Sequence, residues 1–361
     1  MPGARLKGRK RRTVVTALGP ITLHRHHVWS AADGGLFPAD ATLGVDGFLT
    51  RQATRLATLA GVDHSFARAQ QVLAEMCGWA VDDEVIRRVT HAEARRVARE
   101  RPTQADAATF ARASGEVEVL IDAGKVNTVD GWRDVKVGVF LKRMPGESAT
   151  PDRWDQRELP APTVRTTVAA IEGCERFGDR LRAESDRLGV TAWPTVSVLG
   201  DGAEWIWNRA GLVWPQASQV LDVYHLLEHV SDAAKAVWGS DASAIDRHAT
   251  AGREAVLAEG YAGLQRWVGE AIAAVPLGAS PDPLIELAAY AAPHARRMAY
   301  AERLATGRSI GSGAVEGAIK QLVNLRFKRT GARWRVEHVG PLVELRAVSR
   351  TPSWNALWVA A

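Results

Sequence analysis

Three acidic residues stand where their carboxylates could meet at one point. Asp122 and Asp201 each end a short apolar run, and Glu316 comes early in a predicted helix, after a Gly-Ser-Gly turn. Carboxylates that converge from different elements suit two Mg²⁺ or Mn²⁺ ions, and two ions about 3.5 to 4 Å apart support in-line displacement at a phosphodiester. We therefore predict a two-metal site held by Asp122, Asp201 and Glu316.

Spacing alone does not select these acids, because the chain carries 41 acidic residues and acids at strand ends are common. A glycoside hydrolase is a competing interpretation, since paired carboxylates and the 13 tryptophans would suit a sugar cleft. The acids alone do not distinguish phosphodiester cleavage from glycoside hydrolysis, so the surrounding sequence has to be considered.

The region from residue 116 to 225 carries β and α patterns in turn. Predicted strands cover residues 118–122, 134–142, 163–167, 195–201 and 219–222, and predicted helices cover residues 171–188 and a short stretch from 203. Three consecutive strands followed by helix, strand, helix and strand indicate an α/β fold with a mixed sheet. Residues 226–304 are helical, rich in Ala and Leu and interrupted at 276–283, so we predict an inserted all-α domain.

A helical pair precedes this region. Its first helix begins after Ser65 and ends near Gly78, and its second begins at Asp82 or Asp83 and carries Arg87 and Arg88 among other arginines. A helix, a short turn and a basic helix are typical of a helix-turn-helix DNA reader, whose second helix enters the major groove. A helical hairpin with a packing role is the equal alternative.

The predicted organisation has five segments. They are a basic β segment at 1–50, a helical DNA-binding region at 51–113, the first part of a catalytic core at 114–225, the all-α insertion at 226–304, and the last core helices with the tail at 305–361. In the first segment, β strands flank a Gly19-Pro20 turn, and His24, His26 and His27 are interpreted as strand residues rather than metal ligands.

The charge distribution favours a polyanionic partner. The net charge is +5, and basic residues concentrate in three runs. These runs are Arg5–Arg12; Arg87, Arg88, Arg95, Arg96, Arg99 and Arg101; and Lys320–Arg335 with Arg326, Lys328, Arg329 and Arg333. Each run could neutralise phosphates, and the alternative for any single run is a solvated face. The two distant cysteines and the lack of an apolar membrane segment or signal peptide predict a cytoplasmic, nucleoid-associated protein.

Three blocks of sequence resemble one family along most of the chain. They are Asp122-Ala-Gly-Lys-Val-Asn-Thr with the following Gly131-Trp-Arg-Asp; Leu199-Gly-Asp-Gly-Ala-Glu-Trp; and Ile310-Gly-Ser-Gly-Ala-Val-Glu-Gly, continuing through Arg326-Phe-Lys-Arg-Thr-Gly to Leu345. The sequence is similar to the transposases of ISKra-type bacterial insertion sequences, relatives of the Mutator-like DDE transposases.

The resemblance implies a ribonuclease-H-like core in which the first and fourth strands are neighbours, so that Asp122 and Asp201 meet. It further implies metal-dependent cleavage and strand transfer at insertion-sequence ends, with double-stranded DNA as the partner and a homodimer or larger assembly to process two ends. Lys320, Arg326, Lys328, Arg329 and Arg333 are then expected to hold DNA phosphates, with a solvated helix end as the alternative.

Asp222-Val-Tyr-His225 resembles a family Asp-x-x-His motif. By chemistry, Asp222 could support a metal ligand while His225 contacts DNA or positions a water, or the two could form a structural hydrogen-bonded pair. Two departures from the family are visible: Ala123 follows the first Asp where Gly is common, and Trp29 and Ala32 replace a cysteine pair, which argues against a zinc element. The start is also short for the family, which keeps a second hypothesis open, a transposase-derived DNA-binding protein that does not cut.

Overall fold

The structure, a computed structural model, describes residues 4–32, 34–45, 47–100 and 104–359. The chain divides into two compact units. Unit 1 comprises Met1–Ala105, Asn127–Gly131 and Asn324–Ala361, and unit 2 comprises Asp106–Val126 and Trp132–Val323. Arg101 of the second basic run lies outside the described residues. Unit 1 is therefore built largely from the two ends of the chain, and unit 2 from its middle.

The strands and helices of the described chain are as follows. The strands are β1 (Arg5–Thr16), β2 (Gly19–Ser30), β3 (Gly34–Leu36), β4 (Glu116–Thr128), β5 (Gly131–Arg143), β6 (Val164–Ala170), β7 (Val196–Gly200) and β8 (Ser218–Leu221). The α-helices are α1 (Pro38–Thr42), α2 (Arg51–Asp63), α3 (Phe66–Cys77), α4 (Asp83–Glu100), α5 (Gln104–Arg112), α6 (Cys174–Leu188), α7 (Glu204–Val213), α8 (Val223–Trp238), α9 (Ala242–Ala273), α10 (Asp282–Ala291), α11 (Tyr300–Ala305), α12 (Gly313–Ile319), α13 (Leu325–Phe327), α14 (Val336–Val348) and α15 (Ser353–Ala356). Short 3₁₀ helices lie at Pro151–Arg153, Val190–Ala192 and Ala292–Arg297, and a π-helical stretch, Lys320–Asn324, joins α12 to α13.

The centre of unit 2 is a mixed five-stranded sheet in the order β6-β5-β4-β7-β8. β4 pairs with β7 and β7 with β8 in parallel, while β5 pairs with β6 antiparallel. Val139 and Phe140 point to opposite faces of β5 and both are fully buried, so both faces of the sheet are covered. The prediction of an α/β fold with a mixed sheet is confirmed, and so is the order of three strands, helix, strand, helix and strand.

The boundaries around the two aspartates differ from the prediction. β4 does not end at Asp122 but continues to Thr128, whereas β7 does end at Gly200, directly before Asp201. The reason is that β4 has two partner strands. Its pairing with β7 ends at Ile121 and Gly200. Its other neighbour in the sheet is β5, to which a short turn connects it. Asp122 therefore lies where β4 loses one partner strand.

Two further boundaries were predicted wrongly. The fifth strand, β8, ends at Leu221, and Asp222 begins helix α8 instead of closing the strand. In the N-terminal hairpin, the turn lies at Ala17 and Leu18, and Gly19 already belongs to β2 with φ 114°. A glycine at this φ starts the returning strand without the steric cost that other residues would meet there.

Helices follow β8, as predicted, and the break between α9 and α10 coincides with the proline-rich stretch at 276–283. Within α9, Gly260 has φ 59° and ψ −129°, which bends the helix. A Cβ at this position would lie 2.3 Å from the carbonyl oxygen of Met298, so glycine is required for the close approach. No helix among the described residues combines the length and apolarity that crossing a membrane requires.

Unit 1 places β1 and β2 in a long antiparallel hairpin and packs α2, α3 and α4 around a shared apolar cluster that includes Leu73 and Ile86. The two helices predicted after Ser65 are present, with Ser65 capping α3 and Gly78 ending it in the left-handed conformation. The region predicted as helical from residue 51 begins with α2, whose start is capped by Thr50, although no separate helix was predicted there.

Two arginines in unit 1 are buried at the C-terminal end of α2. The side chains of Arg326 and Arg346 are 2% and 1% exposed; Arg326 donates to the carbonyl oxygen of Gly61 at 3.2 Å, and Arg346 donates to that of Val62. The guanidinium of Arg326 also lies 4.9 Å from the ring centre of Phe66 and 4.7 Å from that of Trp334. Cations at this helix end satisfy free carbonyls and oppose the negative end of the dipole.

This burial corrects one predicted site residue. Arg326 was expected to hold a DNA phosphate, but a guanidinium that is enclosed by aromatic rings and bonded to Gly61 does not reach a ligand in solvent. Burial, followed by repulsion from Arg346, lowers the pKa of Arg326 to about 9, which still leaves it charged at neutral pH. Arg326 is a structural residue of unit 1.

We predict that Arg326→Ala lowers the free energy of unfolding by about 3 kcal/mol, because it removes packed side-chain volume and leaves the carbonyl of Gly61 without its donor. Urea denaturation followed by circular dichroism measures the change. Lys328→Ala, two residues away and exposed, is the matched control and should alter stability by less than about 0.5 kcal/mol. Equal effects of the two substitutions would contradict the structural role of Arg326.

Candidate active site

An open cleft in unit 2, with a volume of about 710 Å³, gathers most of the acids singled out from the sequence. Its lining residues are Asp122, Asp201, Asp222, Tyr224, His225, Glu228, Ser312, Gly313 and Glu316. They come from the middle of β4, the ends of β7 and β8, the first turns of α8 and the start of α12. The structure therefore brings together all five residues predicted for the catalytic site, across 194 positions of sequence from Asp122 to Glu316.

The parallel pairing of β4 and β7 places Asp122 beside Asp201. The last residues in register are Ile121 and Gly200, so the two aspartates are the next residues on adjacent strands. Each carboxylate is oriented by its own backbone: Asp122 accepts from the amide of Ala123 at 2.5 Å, and Asp201 accepts from that of Ala203 at 2.8 Å. Neighbouring strands lie about 4.8 Å apart, so two carboxylates at this point share one edge of the cleft.

Helix α12 brings Glu316 to the same cleft by packing on β4. Gly124 faces Ile319 so closely that a Cβ on the glycine would lie 2.7 Å from the Cγ2 of Ile319. Asp122 and Gly124 share a face of the strand at a spacing of two, and Glu316 and Ile319 share a side of the helix at a spacing of three. The contact between Gly124 and Ile319 thus sets Glu316 on the side of Asp122.

Asp222 is buried beneath the cleft and links the segments that line it. Its side chain is 1% exposed, and its Oδ1 accepts from the amide of His225 at 2.9 Å, which caps helix α8. Its Oδ2 accepts from the amide of Ser312 at the start of α12. Ser312 occupies the N-cap position of α12, but its hydroxyl makes no capping bond and contacts Glu316 at 3.5 Å instead. Asp222 therefore positions the segment that carries Glu316.

We predict that Asp222→Ala lowers the free energy of unfolding by about 2 to 4 kcal/mol, because two buried backbone amides lose a charged acceptor. Asp241→Ala is the matched control, since Asp241 caps α9 through one bond to the amide of Ala244 at 2.9 Å. That control should cost about 1 kcal/mol. If urea denaturation gives the same loss for both variants, Asp222 is an ordinary helix cap and not a link between two helices.

Burial and mutual repulsion perturb the carboxylates of the cleft. The pKa of Asp122 is raised to about 6, by burial first and also by the nearby charges of Asp201 and Glu316, while the bond from the Ala123 amide lowers it. The pKa of Glu316 is also raised, by burial first and then by the charge of Asp222. Like charges held in one cleft favour protonation or a bound cation.

The donor set fits Mg²⁺ or Mn²⁺ by its chemistry, because these ions take carboxylate oxygens in preference to other protein ligands. The lining is rich in such oxygens, and the partly buried carboxylate of Asp122 has the like charges of Asp201 and Glu316 beside it. Within the described part of the chain, however, no three His, Cys, Asp or Glu side chains are already gathered around a common metal position. The acids line one cleft without converging on a point.

We predict that the metal-free protein loses stability as the pH rises from about 4 to about 6. The unfolded chain releases the Asp122 proton near pH 3.8, whereas the folded protein retains it until the pKa of about 6, so the unfolded state gains stability across this window. The loss reaches up to about 3 kcal/mol. Urea denaturation at a series of pH values measures it.

Asp122→Asn should flatten this profile, while Asp179→Asn, at an exposed position on α6, should leave it unchanged. Millimolar Mg²⁺ should restore stability above pH 6 in the unsubstituted protein and less so in Asp122→Asn, because a bound cation favours the charged carboxylate. An identical profile with and without Asp122 would contradict the raised pKa.

His225 lies on the cleft side of α8 beside other rings. Its Nδ1 is 3.7 Å from a carboxylate oxygen of Glu228, and its ring centre is 4.8 Å from that of His229 and 6.4 Å from that of Tyr290. The side chain is 42% exposed, so it is accessible from the cleft. Asp222 bonds to the backbone amide of His225 and not to its side chain. The imidazole can therefore still contact a ligand or a water in the cleft.

Sequence reasoning missed three residues of this region. Tyr224 stands inside the Asp-Val-Tyr-His motif and Glu228 lies one helical turn after His225, so both could have been found from the helix period. Tyr290 gave no local signal, because α10 brings it to Gly202, where a Cβ would lie 2.2 Å from the tyrosine Oη. Burial, then the charges of Asp201 and Asp222, raises the pKa of Tyr290 to about 12.

Most of the residues predicted to contact DNA are exposed, and the others are bonded to groups of the protein. Lys320 in unit 2 and Lys328, Arg329 and Arg333 in unit 1 are exposed. On α4, Arg88 is exposed together with Arg95 and Arg99, which follow at helical spacing on one side. Arg87 is instead bound through two of its nitrogens by Glu84, at 2.7 and 2.6 Å.

The site is thus an acid-lined cleft where the parallel strands β7 and β8 end beside β4, with a histidine at its border. A comparison with models of known protein families found no match, and a comparison with curated proteins found no relative. The function therefore has to be argued from the geometry and chemistry of the cleft.

Proposed function

We propose that this protein is a DDE-type transposase of the ISKra kind, which binds the ends of an insertion sequence and cleaves and joins DNA. The observation that carries the proposal is the common cleft of Asp122, Asp201 and Glu316. Two of these acids lie on adjacent parallel strands and the third on a helix packed over one of them. Carboxylates that rigid elements carry into one cleft suit metal-dependent phosphodiester chemistry.

We further infer a ribonuclease-H-like core. In such a sheet three antiparallel strands are followed by two strands parallel to the first, and the first and fourth strands are neighbours. The observed order β6-β5-β4-β7-β8 has β4 as the first strand of unit 2 and β7 as the fourth, paired in parallel. This agreement supports the inference and explains why the acids that sequence separates belong to one site.

Each residue then has a defined task. Asp122, Asp201 and Glu316 would hold two Mg²⁺ or Mn²⁺ ions. When bound, these ions stabilise the attacking and leaving oxygens of an in-line displacement. Asp222 keeps the start of α12, and with it Glu316, in position through its bond to the Ser312 amide. His225, whose imidazole borders the cleft, orients a water or a DNA hydroxyl.

DNA would be held by the exposed cations. Lys320 follows Glu316 by four residues, at a spacing that puts the two on one side of the helix. In unit 1 the exposed set comprises Lys328, Arg329 and Arg333, and α4 adds the row of Arg88, Arg95 and Arg99. These side chains suit phosphate contacts, which position DNA without reading its sequence.

We predict that Asp122→Asn, Asp201→Asn and Glu316→Gln each abolish cutting of DNA that carries the terminal inverted repeats flanking the gene. The amides keep the shape of the acids and remove the charge that a divalent ion needs. Purified protein, Mg²⁺ or Mn²⁺ and end-labelled DNA on a denaturing gel measure the nicks. Asp179→Asn is the control and should cut like the unsubstituted protein.

The binding measured in the same samples separates two hypotheses. Tight binding of the repeats without metal-dependent cutting by the unsubstituted protein would favour a transposase-derived DNA-binding protein. If the protein neither binds nor cuts any repeat DNA, both hypotheses are overturned. Cutting that survives in all three acid variants would show that the cleft is not the catalytic site.

We predict that the affinity for DNA falls steeply with salt, and that the combined replacement of Lys320, Lys328, Arg329 and Arg333 by Gln makes the dependence shallower. Each lost phosphate contact lowers the slope of log affinity against log salt by about 0.9. Fluorescence anisotropy across a salt series measures the slope. Arg266→Gln is the matched control, because its guanidinium is already paired with Glu259 at 2.6 Å. An unchanged slope in the combined variant would place the DNA elsewhere.

A further inference from the structure

A second cavity of about 270 Å³ adjoins the acid-lined cleft in unit 2. Its lining residues include Glu118, Arg143, Trp154, Arg157, Tyr224 and Gly313. Tyr224 and Gly313 line both spaces, so a ligand that enters the cavity lies directly beside the catalytic acids. The catalytic proposal assigns nothing to this cavity.

Two aromatic rings form one wall of the cavity. The ring centres of Trp154 and Tyr224 are 5.4 Å apart, and their planes are inclined at 48°. The ring of Tyr224 rests against Gly311, where a Cβ would lie 2.7 Å from a ring carbon, yet the residue remains 52% exposed. Backbone supports one side of the ring and the rest stays open, so it can stack with a planar ligand.

Arg157 supplies a cation that no acid of the described residues contacts directly. It donates to the carbonyl oxygen of Arg308 at 2.9 Å and forms no ion pair with a carboxylate of the described chain. Arg143, on the same cavity, is paired with Glu118 at 3.4 Å and also donates to the carbonyl of Pro160. The cavity therefore carries one available positive charge beside its aromatic wall.

These features match one chemical class of ligand. A nucleotide combines a planar base that stacks on aromatic rings with a phosphate that pairs with arginine. The volume falls below the roughly 300 to 1,000 Å³ of sites for drug-sized molecules, so it suits one base and not an oligonucleotide. A base within a duplex cannot enter it, because its partner and neighbours enclose it.

We propose that this cavity binds one unpaired base of the DNA strand whose phosphate lies in the acid-lined cleft, with the base on Tyr224 and Trp154 and the adjoining phosphate on Arg157. The inference rests on the proposed function, since DNA is the polymer that delivers the base. It adds a requirement for a melted or single-stranded nucleotide next to the reacting bond. The capture fixes the strand relative to the acids.

The test uses two DNA probes with the same number of phosphates, in the absence of divalent metal so that cleavage plays no part. One is a blunt duplex, and the other is a duplex with a short single-stranded extension that contains one 2-aminopurine. We expect the extended probe to bind more tightly and its 2-aminopurine fluorescence to be quenched by stacking. Trp154→Ala and Tyr224→Leu should each weaken the extended probe about tenfold and leave the blunt duplex unchanged.

Matched variants keep the test independent of folding. Tyr224→Phe retains the ring and should bind the extended probe normally, whereas Trp132→Ala removes an exposed tryptophan elsewhere and should change neither probe. Arg157→Gln should weaken the extended probe, while Arg153→Gln, exposed in the adjacent 3₁₀ helix, should not. Equal affinity of the two probes, or losses in Trp154→Ala and Tyr224→Leu that affect both probes alike, would overturn the cavity as a base site.

The outcome is separable from that of the proposed function. Metal-dependent cutting without any preference for the extended probe would retain the transposase and remove the base site. Quenching and binding that depend on Tyr224, in a protein that cuts no repeat DNA, would retain the base site and remove the catalytic proposal.

Discussion

A single buried carboxylate, that of Asp222, joins three parts of unit 2 at the point where the candidate site lies. Its backbone amide donates to the carbonyl of Gly200 at 2.8 Å, its Oδ1 caps helix α8, and its Oδ2 accepts from the Ser312 amide. The end of β7, the helix with His225 and the helix with Glu316 are thereby tied to one residue. Because a buried charge is tolerated only when donors surround it, this network restricts how the loop before α12 can be arranged.

The cleft above Asp222 holds like charges together, and the fold has to resist their repulsion. The parallel pairing of β4 with β7 does so for Asp122 and Asp201, and the close contact between Gly124 and Ile319 does so for Glu316. The raised pKa of Asp122 reflects its burial first and then this repulsion. Like charges in one cleft favour a bound cation, which is the physical basis of the proposal that this site binds metal.

The arginines have at least two different tasks, although the sequence presents them as similar runs. Arg326 and Arg346 close the C-terminal end of α2 from inside unit 1. Lys328, Arg329 and the row of Arg88, Arg95 and Arg99 remain in solvent, where they can neutralise phosphates. Burial of the side chain, and not its position along the chain, distinguishes a structural cation from one that is available to a ligand.

The sequence by itself determined the α/β class, the order of strands and helices after residue 116, the helical pair after Ser65 and the acids worth testing. These are local properties, since apolar periodicity and capping residues act over a few positions. Only the tertiary structure decided that β4 runs past Asp122, that Asp222 begins a helix, that Arg326 is buried and that Tyr224 borders two cavities. The extent of β4 depends on where its pairing with the distant strand β7 ends, and the positions of Asp222 and Arg326 depend on Ser312 and Gly61. These partners are far away in sequence and leave no pattern in the residues next to those they contact.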